Sequence, residues 1–186
     1  MEELEKHNEK IPKCIAVANR IINRTNAYNM WRVENGQPKV KLNGRRIQKL
    51  LYLCQLFWYV DHKYSDMITE DFQAWACGPA IPVLYNYFMV LQDSDMLPVR
   101  RGDIYILSDE ERDLINQVVD NTIDISTEEM IDYTHSPDGP WALVYKNYQG
   151  AHDIIPKENI KRYIRDKQHQ EGLIDFVKTK RLKRHK

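Results

Sequence analysis

The chain has 186 residues, of which 42% are hydrophobic and 29% are charged, and its 27 basic side chains balance its 27 acidic ones. This composition is typical of a globular domain with a buried core, and the zero net charge gives no general attraction for nucleic acid. The three cysteines form no CxxC pair, and no run of about 18 apolar residues occurs. We therefore expect a cytoplasmic protein without a disulfide framework, a zinc ribbon, a signal peptide or a membrane span.

Apolar periodicity predicts two helices in the first third of the chain. The first runs from Ile11 to about Arg24, with Pro12 at its start. The pattern is lost from Asn26 to Lys41, which contains the turn signal Asn35-Gly36, so this stretch is predicted as a loop. The second helix, at about residues 43–63, has an apolar arc too wide for a surface helix and is predicted to lie at the centre of the fold.

The stretch AWACGPAIPVLYNYF, residues 74–88, combines an extended segment with a stiff corner. Gly78 tolerates unusual backbone angles, and Pro79 and Pro82 fix φ and favour a helix start. We expect Phe72 to Cys77 to be extended, and a helix to run from Ile81 to Gln92 with Tyr85 on one face. A second short extended segment, Asp103 to Leu107, is predicted to pair with residues 72–75 as a small hairpin or ribbon.

Two capping signals organise the second half of the chain. Ser108 and Ser126 are each followed three residues later by glutamate, which predicts helices ending near Asn121 and Tyr133. The turn Pro137-Asp-Gly-Pro140 leads to a short helix from Trp141, and a last helix is predicted from Pro156 to about Gln168. The sequence thus predicts a mainly α, single-domain fold around the 43–63 helix, with a small β-hairpin or ribbon.

The predicted domain spans residues 1–168, with a motif core at about 43–164, and a basic tail or helix follows at 169–186. This tail could contact phosphates or a protein partner, and the second is favoured because like-charged blocks are often interaction segments. Nucleic acid is therefore an unfavoured partner. The tail residues that could make such contacts are Lys178, Lys180, Arg181, Lys183, Arg184 and Lys186.

Catalytic and metal chemistry is weakly supported by the sequence. A zinc site built from His62, His135, His152, Cys54 and Cys77 lacks closely spaced ligand pairs, and no glycine-rich phosphate motif occurs. A nucleophile pair of Cys77 and His135, oriented by Asp138 or Asp132, is the strongest enzymatic hypothesis. The simpler interpretation makes Cys77 a small residue beside a turn and His135 a helix-ending residue whose ring meets free carbonyls. We expect no enzyme activity, metal or cofactor.

Aromatic residues are the positive feature of the sequence. Helical spacing cannot bury on one side all of the eight that we single out as close in sequence, which are Tyr52, Phe57, Trp58, Tyr59, Trp75, Tyr85, Tyr87 and Phe88. Some should reach the surface, where Trp and Tyr are frequent interface hot spots. The residues alone therefore favour a binding protein over an enzyme.

Several motifs in order resemble the Panacea domain, the family of phage-associated GepA-like and SocA-like antitoxins. They are KLNGRRIQKLLYLCQLFWYV, DFQAWACGPAIPVLYNYF, LSDEERDLINQVV, MIDYTHSPDGPW and IIPKENIKRYI, between about Ile15 and Ile164. The matching positions that we single out as scaffold or partner-binding residues are Lys49, Tyr52, Trp75, Gly78, Pro79, Pro82, Tyr85, His135, Pro140 and Trp141.

The resemblance implies an antitoxin that neutralises a cognate protein toxin, encoded by an adjacent gene, through direct contact. Alternatively, SocA-like members deliver the toxin to the ClpXP protease, which makes ClpX a second candidate partner. A nucleic-acid-binding regulator acting through the tail is a further alternative, and homo-oligomerisation stays open. The resemblance also implies that Trp75, Gly78, Pro79 and Trp141 build a shared scaffold, whereas partner choice lies in residues 26–41 and the tail.

Overall fold

One central helix organises the chain, whose computed structural model describes residues 12–88 and 106–178. The predicted fold class is confirmed, since helices dominate and only two short strands form a sheet. The elements are α1 (Lys13–Glu34), α2 (Gly44–Asp61), β1 (Gln73–Trp75), β2 (Gly78–Ala80), α3 (Pro82–Phe88), α4 (Asp109–Thr122), α5 (Thr127–Thr134), α6 (Pro140–Tyr145), α7 (Lys157–Arg165) and α8 (Lys167–Lys178).

The helix α2 is the core element that its apolar arc predicted. Asn43 caps its start by accepting a hydrogen bond from the Arg46 backbone N–H at 2.9 Å. Neighbours on every side bury most of its residues, and these neighbours are α1, α3, α4, α5, α7 and β2. Because most of α2 is enclosed, a buried polar residue on it must find a partner inside the protein.

The first helix is longer than predicted, and the predicted loop over Asn26 to Lys41 is wrong in its first part. Helix α1 continues to Glu34 and ends at the Asn35-Gly36 turn. The apolar pattern fails there because Asn29, at a buried position, is polar. Its side chain donates to the Val40 carbonyl at 3.0 Å and accepts from the Val40 N–H at 2.7 Å. These bonds fasten the connecting loop to α1.

The first strand of the small sheet pairs with a different segment from the predicted one. Strand β1 pairs with β2 in an antiparallel hairpin whose turn is Ala76-Cys77, with Trp75 opposite Gly78. On the other edge of β1, Gln73 bridges to Ile154. Both edges of β1 are thus occupied, so the predicted pairing of Phe72–Trp75 with Asp103–Leu107 is wrong, although residues 103–105 themselves lie outside the described residues.

The second half follows its capping signals closely. Ser108 and Ser126 each form a complete capping box, with Glu111 and Glu129 respectively, at the starts of α4 and α5. The predicted helix from Pro156 to Gln168 is divided in two, because Asp166 is extended and accepts from the Gln168 N–H at 2.8 Å at the start of α8. Of the predicted helix 81–92, residues 82–88 are confirmed and residues 89–92 lie outside the described residues.

Helices α1 and α4 run in the same direction along each other. The two helices contact each other, and both contribute apolar residues to the buried core, among them Val17 and Ile21 of α1 and Ile115 and Val119 of α4. Polar pairs follow its rim in parallel order: Lys13 with Glu111, Arg20 with Asn116, Arg24 with Asp120 and Arg32 with Asp124. Within residues 12–88 and 106–178, no helix is both long and apolar enough to cross a lipid bilayer.

Candidate functional site

A stripe of polar side chains on α2 fastens residues 66–81, which we call the return segment. Gln48 accepts from the Ile81 N–H at 2.8 Å and donates to the Ile81 carbonyl at 3.0 Å. Further along α2, Gln55 accepts from the Ile68 N–H at 2.7 Å, and the Tyr59 hydroxyl donates to Asp66 at 2.7 Å. The return segment therefore runs antiparallel to α2, and these bonds place the β-hairpin beside the first two turns of α2.

Lys49 belongs to the same stripe and carries the most unusual electrostatics of the site. Its side chain is only 1% exposed, and its Nζ donates to the Pro79 carbonyl at 2.7 Å. Burial lowers the pKa of this amine to about 7, and the nearby Cys77 opposes the shift. No carboxylate in the described part of the chain forms an ion pair with Lys49. The position thus holds a buried cation, or a neutral amine, with a single acceptor.

Gly78 is the point where several motif residues meet. Its φ of +93° is in the left-handed range that other residues rarely adopt. A Cβ atom built there would lie 2.5 Å from Thr134 Oγ1 and 2.8 Å from Lys49 Nζ, with His135 Nε2 at 3.4 Å. Only glycine therefore allows the hairpin to approach α2 and the end of α5 this closely.

An aromatic stack leads from Gly78 to the surface, and we define it as His135, Trp141, Tyr145 and Tyr148. The centroids of the successive rings are 3.8, 4.5 and 5.0 Å apart, and the His135 and Trp141 rings are nearly parallel. Trp141 Nε1 donates to the Trp75 carbonyl at 2.8 Å, which joins the stack to the hairpin. The outermost ring, Tyr148, is 73% exposed.

The hydrogen bonds of the site do not support the hypothetical nucleophile pair of Cys77 and His135. His135 Nε2 is buried without a hydrogen-bond partner, and burial followed by the Lys49 charge lowers the pKa of the imidazole. Asp138 instead accepts from Ser136 Oγ at 2.6 Å and contacts His169 Nε2 at 3.0 Å, so it does not orient His135. The expectation that the His135 ring meets the carbonyls at the helix end is also wrong, because the ring stacks on Trp141.

The residues considered for a metal site lie in different surroundings. His62 stacks on Trp58 and pairs with Glu110 at 2.9 Å, whereas Cys54 is buried within α2. His152 contacts the Trp75 ring. Among residues 12–88 and 106–178, no group of three or more metal-binding side chains comes together. The geometry of the site therefore offers hydrogen bonds, aromatic surface and positive charge rather than metal ligation.

A groove of about 510 Å³ opens beside the hairpin turn. The start of α2 forms one wall and α3 forms another. The apolar lining is Trp75, Ala76, Ala80, Leu84, Tyr85 and Phe88, and the polar or charged side chains are Asn43, Arg45, Gln48, Lys49 and Cys77. Among the described residues, the ionisable amine and guanidinium groups of the lining belong to Lys49 and Arg45, and no described acidic residue lines the groove.

Trp75 and Tyr85 line the groove at the hairpin, and His152 contacts Trp75; we call Trp75, Tyr85 and His152 the hairpin face. The Trp75 ring lies 4.7 Å from the Tyr85 ring and 4.8 Å from the His152 ring, between centroids. Tyr85 is 41% exposed, whereas Tyr52, Tyr59 and Phe88 are buried. The prediction that some of the clustered aromatics reach the surface is confirmed, and those that do so include the ones beside the groove.

The loop that supplies His152 and Tyr148 has a constrained backbone. Lys146, Asn147, Tyr148 and His152 all have positive φ, a conformation that costs free energy in residues with a side chain. Gly150 holds this loop against α6, because a Cβ there would lie 1.9 Å from the Val144 carbonyl oxygen. The His152 N–H then donates to the Ala74 carbonyl at 2.8 Å, which fixes the loop to the hairpin.

Comparison with known proteins identifies the family. The family model of the SocA-like antitoxins with a Panacea domain matches residues 47–142, just over half of the chain. The chain belongs to this antitoxin family. Membership assigns it a role in a toxin–antitoxin system. No curated protein and no solved structure matches the chain significantly.

The Panacea motif residues, which lie far apart in the sequence, gather around the hairpin. Lys49, Gly78, Pro79, His135 and Trp141 form the interior of this region, and Trp75 and Tyr85 form its surface. Pro82 and Pro140 begin α3 and α6, and Tyr52 packs edge-on against Phe72. Of the basic tail residues, Lys178 is the exposed last residue of α8, and residues 179–186 lie outside the described residues.

Two structural residues of the fold, Arg46 and Gln48, were missed by sequence reasoning. Buried Arg46 donates to the carbonyls of Thr122, Ile123 and Ile125 and so caps the end of α4, while burial lowers its pKa to about 10. Gln48 clamps Ile81, as described above. Helical spacing of Gln48, Tyr52, Gln55 and Tyr59 was the available signal, since a polar stripe on an enclosed helix requires internal partners.

Proposed function

We propose that this Panacea-domain antitoxin neutralises a cognate protein toxin, encoded by an adjacent gene, by binding it directly. The observation that carries the proposal is the hairpin face, in which the Trp75 ring contacts both Tyr85 and His152 beside the groove. Aromatic side chains supply a large contact area at low entropic cost and are enriched at interface hot spots.

The hairpin face is also held rigidly, which favours recognition by direct contact. The hairpin is fastened to α2 by Gln48 and Lys49, to α6 by Trp141 and to the 146–152 loop by backbone hydrogen bonds. A surface fixed in this way loses little conformational entropy when a partner binds. The family motif thus supplies a scaffold, and the side chains at its surface are available for the toxin.

The test is co-expression of the antitoxin with the toxin from the adjacent gene, scored by growth rescue and by co-purification of the two proteins. We expect Tyr85→Ala to weaken rescue while the circular dichroism spectrum and melting temperature stay close to those of the wild type. The comparison variant is Trp31→Ala, because Trp31 is 48% exposed at the end of α1, within the region 26–41.

Two results would contradict the proposed mechanism. If Trp31→Ala abolishes rescue and Tyr85→Ala does not, the toxin contacts the end of α1 rather than the hairpin face. If the toxin is short-lived beside the antitoxin and becomes stable in a host lacking ClpX, the protein acts as a proteolytic adaptor and not by direct neutralisation. A stable, inactive, co-purifying toxin in both hosts is the result that we expect.

A further inference from the structure

We propose that the groove beside the hairpin binds an acidic segment of the toxin, with a carboxylate directed toward Arg45 and Lys49 and an apolar side chain against Trp75 and Leu84. This inference rests on the proposed function and adds the chemistry of the partner. The two surfaces then have different roles. The hairpin face supplies contact area, and the groove selects a partner segment that carries negative charge.

Charge complementarity is the first argument for an acidic occupant. Within residues 12–88 and 106–178, two basic side chains line the groove and no acidic one does. Arg45 is exposed at the start of α2, and it forms no hydrogen bond or ion pair with the rest of residues 12–88 and 106–178. A carboxylate is the protein group that a guanidinium binds best, because two parallel N–H donors match its two oxygens.

Lys49 is the second argument, because its buried amine forms no ion pair within the described residues. Its three ammonium hydrogens have one recorded acceptor, the Pro79 carbonyl, and no carboxylate of the described chain neutralises it. A buried ammonium without a counter-ion is costly, and a partner carboxylate entering the groove removes part of that cost. Lys49 is buried and Arg45 is exposed, and both line the groove.

The size and lining of the groove fit a peptide segment rather than a single ion. A volume of about 510 Å³ lies within the range of ligand-sized pockets and exceeds that of one amino-acid side chain. Trp75, Leu84 and Phe88 offer apolar surface that a simple anion would leave uncovered. The occupant that satisfies both parts of the groove carries an apolar anchor next to Asp, Glu or a chain-terminal carboxylate.

Cys77 provides a specific reporter of occupancy. It lines the groove and is partly exposed, whereas Cys14 and Cys54, the only other cysteines, are fully buried. Burial also raises the pKa of both of those thiols, which lowers their reactivity further. Reagents that attack thiolates should therefore modify Cys77 selectively in the folded protein.

The experiment measures Cys77 reactivity and toxin affinity with the full-length antitoxin and the toxin that it rescues. We expect complex formation to slow the reaction of Cys77 with dithionitrobenzoate by about tenfold or more, as for a thiol enclosed in an interface. We also expect alkylation of Cys77 with N-ethylmaleimide to weaken toxin binding by a similar factor. Cys77→Ser is the control, since it should bind the toxin normally and be insensitive to the reagent.

Charge reversal tests the electrostatic part of the proposal. Arg45→Glu places a negative charge at the groove and should weaken toxin binding by about tenfold or more. Arg162→Glu is the matched control, because Arg162 is an exposed arginine on α7, outside the groove lining. It should leave the affinity within experimental error of the wild type, and both variants should keep the wild-type melting temperature.

The outcomes separate this inference from the proposed function. If a neutralising complex forms but Cys77 reactivity and the affinity of Arg45→Glu are unchanged, the groove is not the binding site and direct neutralisation still stands. If no complex forms, both proposals are wrong. If Cys77 of the free protein becomes protected as its own concentration rises, a second copy of the chain occupies the groove, and the acidic toxin segment is excluded as its natural occupant.

Discussion

The contact between α2 and the return segment differs in kind from the contact between α1 and α4. The first is made by buried polar side chains that bind backbone groups, above all by Gln48, Lys49 and Gln55. The second is made by apolar side chains, with charged pairs such as Arg24 and Asp120 only at its rim. The two surfaces meet in the same core but use different interactions.

The reason for the difference lies in the backbone of each partner. A helix satisfies its own backbone hydrogen bonds, so two helices can pack through apolar surface alone. The return segment is mostly irregular, and its buried N–H and C=O groups need acceptors and donors from elsewhere. Helix α2 supplies them from its side chains. Buried polar side chains thus hold an irregular segment in place, whereas apolar packing joins one regular helix to another.

The largest expected effect on stability is that of Gln48→Leu, which removes a buried polar contact between α2 and the return segment. The substitution keeps the side-chain volume but leaves the Ile81 N–H and C=O buried without partners. We expect a loss of about 2–4 kcal/mol in the free energy of unfolding. Urea denaturation measures it, with Gln117→Leu, at an exposed position of α4, as the control that should change stability little. If the two substitutions change the free energy of unfolding equally, the hydrogen bonds between Gln48 and Ile81 contribute no more to stability than an exposed side chain does.

A smaller effect, specific to pH, is expected at Lys49. Its pKa is about 7 in the folded protein and about 10.5 in the unfolded chain, so between these values the unfolded state binds the additional proton. Stability therefore rises with pH in this window, by at most about 1.4 kcal/mol per pH unit. The groups that face Lys49 are Cys77 and His135, and His135 stays neutral there because its own pKa is lowered.

Lys49→Met should remove this slope, because methionine fills similar space and does not titrate. Urea unfolding at several values from pH 7 to about pH 9 compares the variant with the wild type. Lys167→Met, at an exposed position of α8, is the control and should keep the wild-type slope. If Lys49→Met and the wild type have parallel pH profiles, Lys49 is not held with a depressed pKa.

The smallest effect is expected at the rim of α1 and α4. Arg24 and Asp120 are both more than a third exposed, and the exposed ion pair contributes less than about 1 kcal/mol. We expect Arg24→Ala to shift the urea midpoint slightly and high salt to reduce the difference further. A large, salt-independent loss would mean that the α1–α4 contact relies on polar interactions as α2 does.

Sequence reasoning identified most of the helices, because their apolar periodicity and caps are local signals. It assigned Asn26–Glu34 to a loop for the same reason, since Thr25 and Asn29 are buried polar residues and interrupt the apolar period. The strand pairing was wrong because two short extended segments carry no information about their partner. Strand β1 pairs with β2 across the two-residue turn Ala76-Cys77. Gly78, which follows this turn, has the positive φ that the close hairpin requires.

The site was predictable only as a set of motif residues. The resemblance singled out Lys49, Gly78, His135 and Trp141, which the structure brings together, but no local signal links positions 49, 78 and 135. Exposure of Tyr85 beside the groove and the isolation of Cys77 from the other thiols depend on tertiary packing. The roles of Arg46 and Gln48 depend on the backbone groups that tertiary packing places opposite α2. No pattern in the sequence identifies those groups.

The parallel pairing of α1 with α4 has a consequence for the order of folding. Arg24 and Asp120 are separated by 96 residues, whereas Gln48 and Ile81 are separated by 33. Closing the longer loop costs more entropy, and during synthesis α1 leaves the ribosome well before α4 exists. The unit formed by α2 and its return segment can therefore assemble first. Until α4 emerges, the apolar side of α1 lacks one of its partners and stays exposed to contacts with other chains.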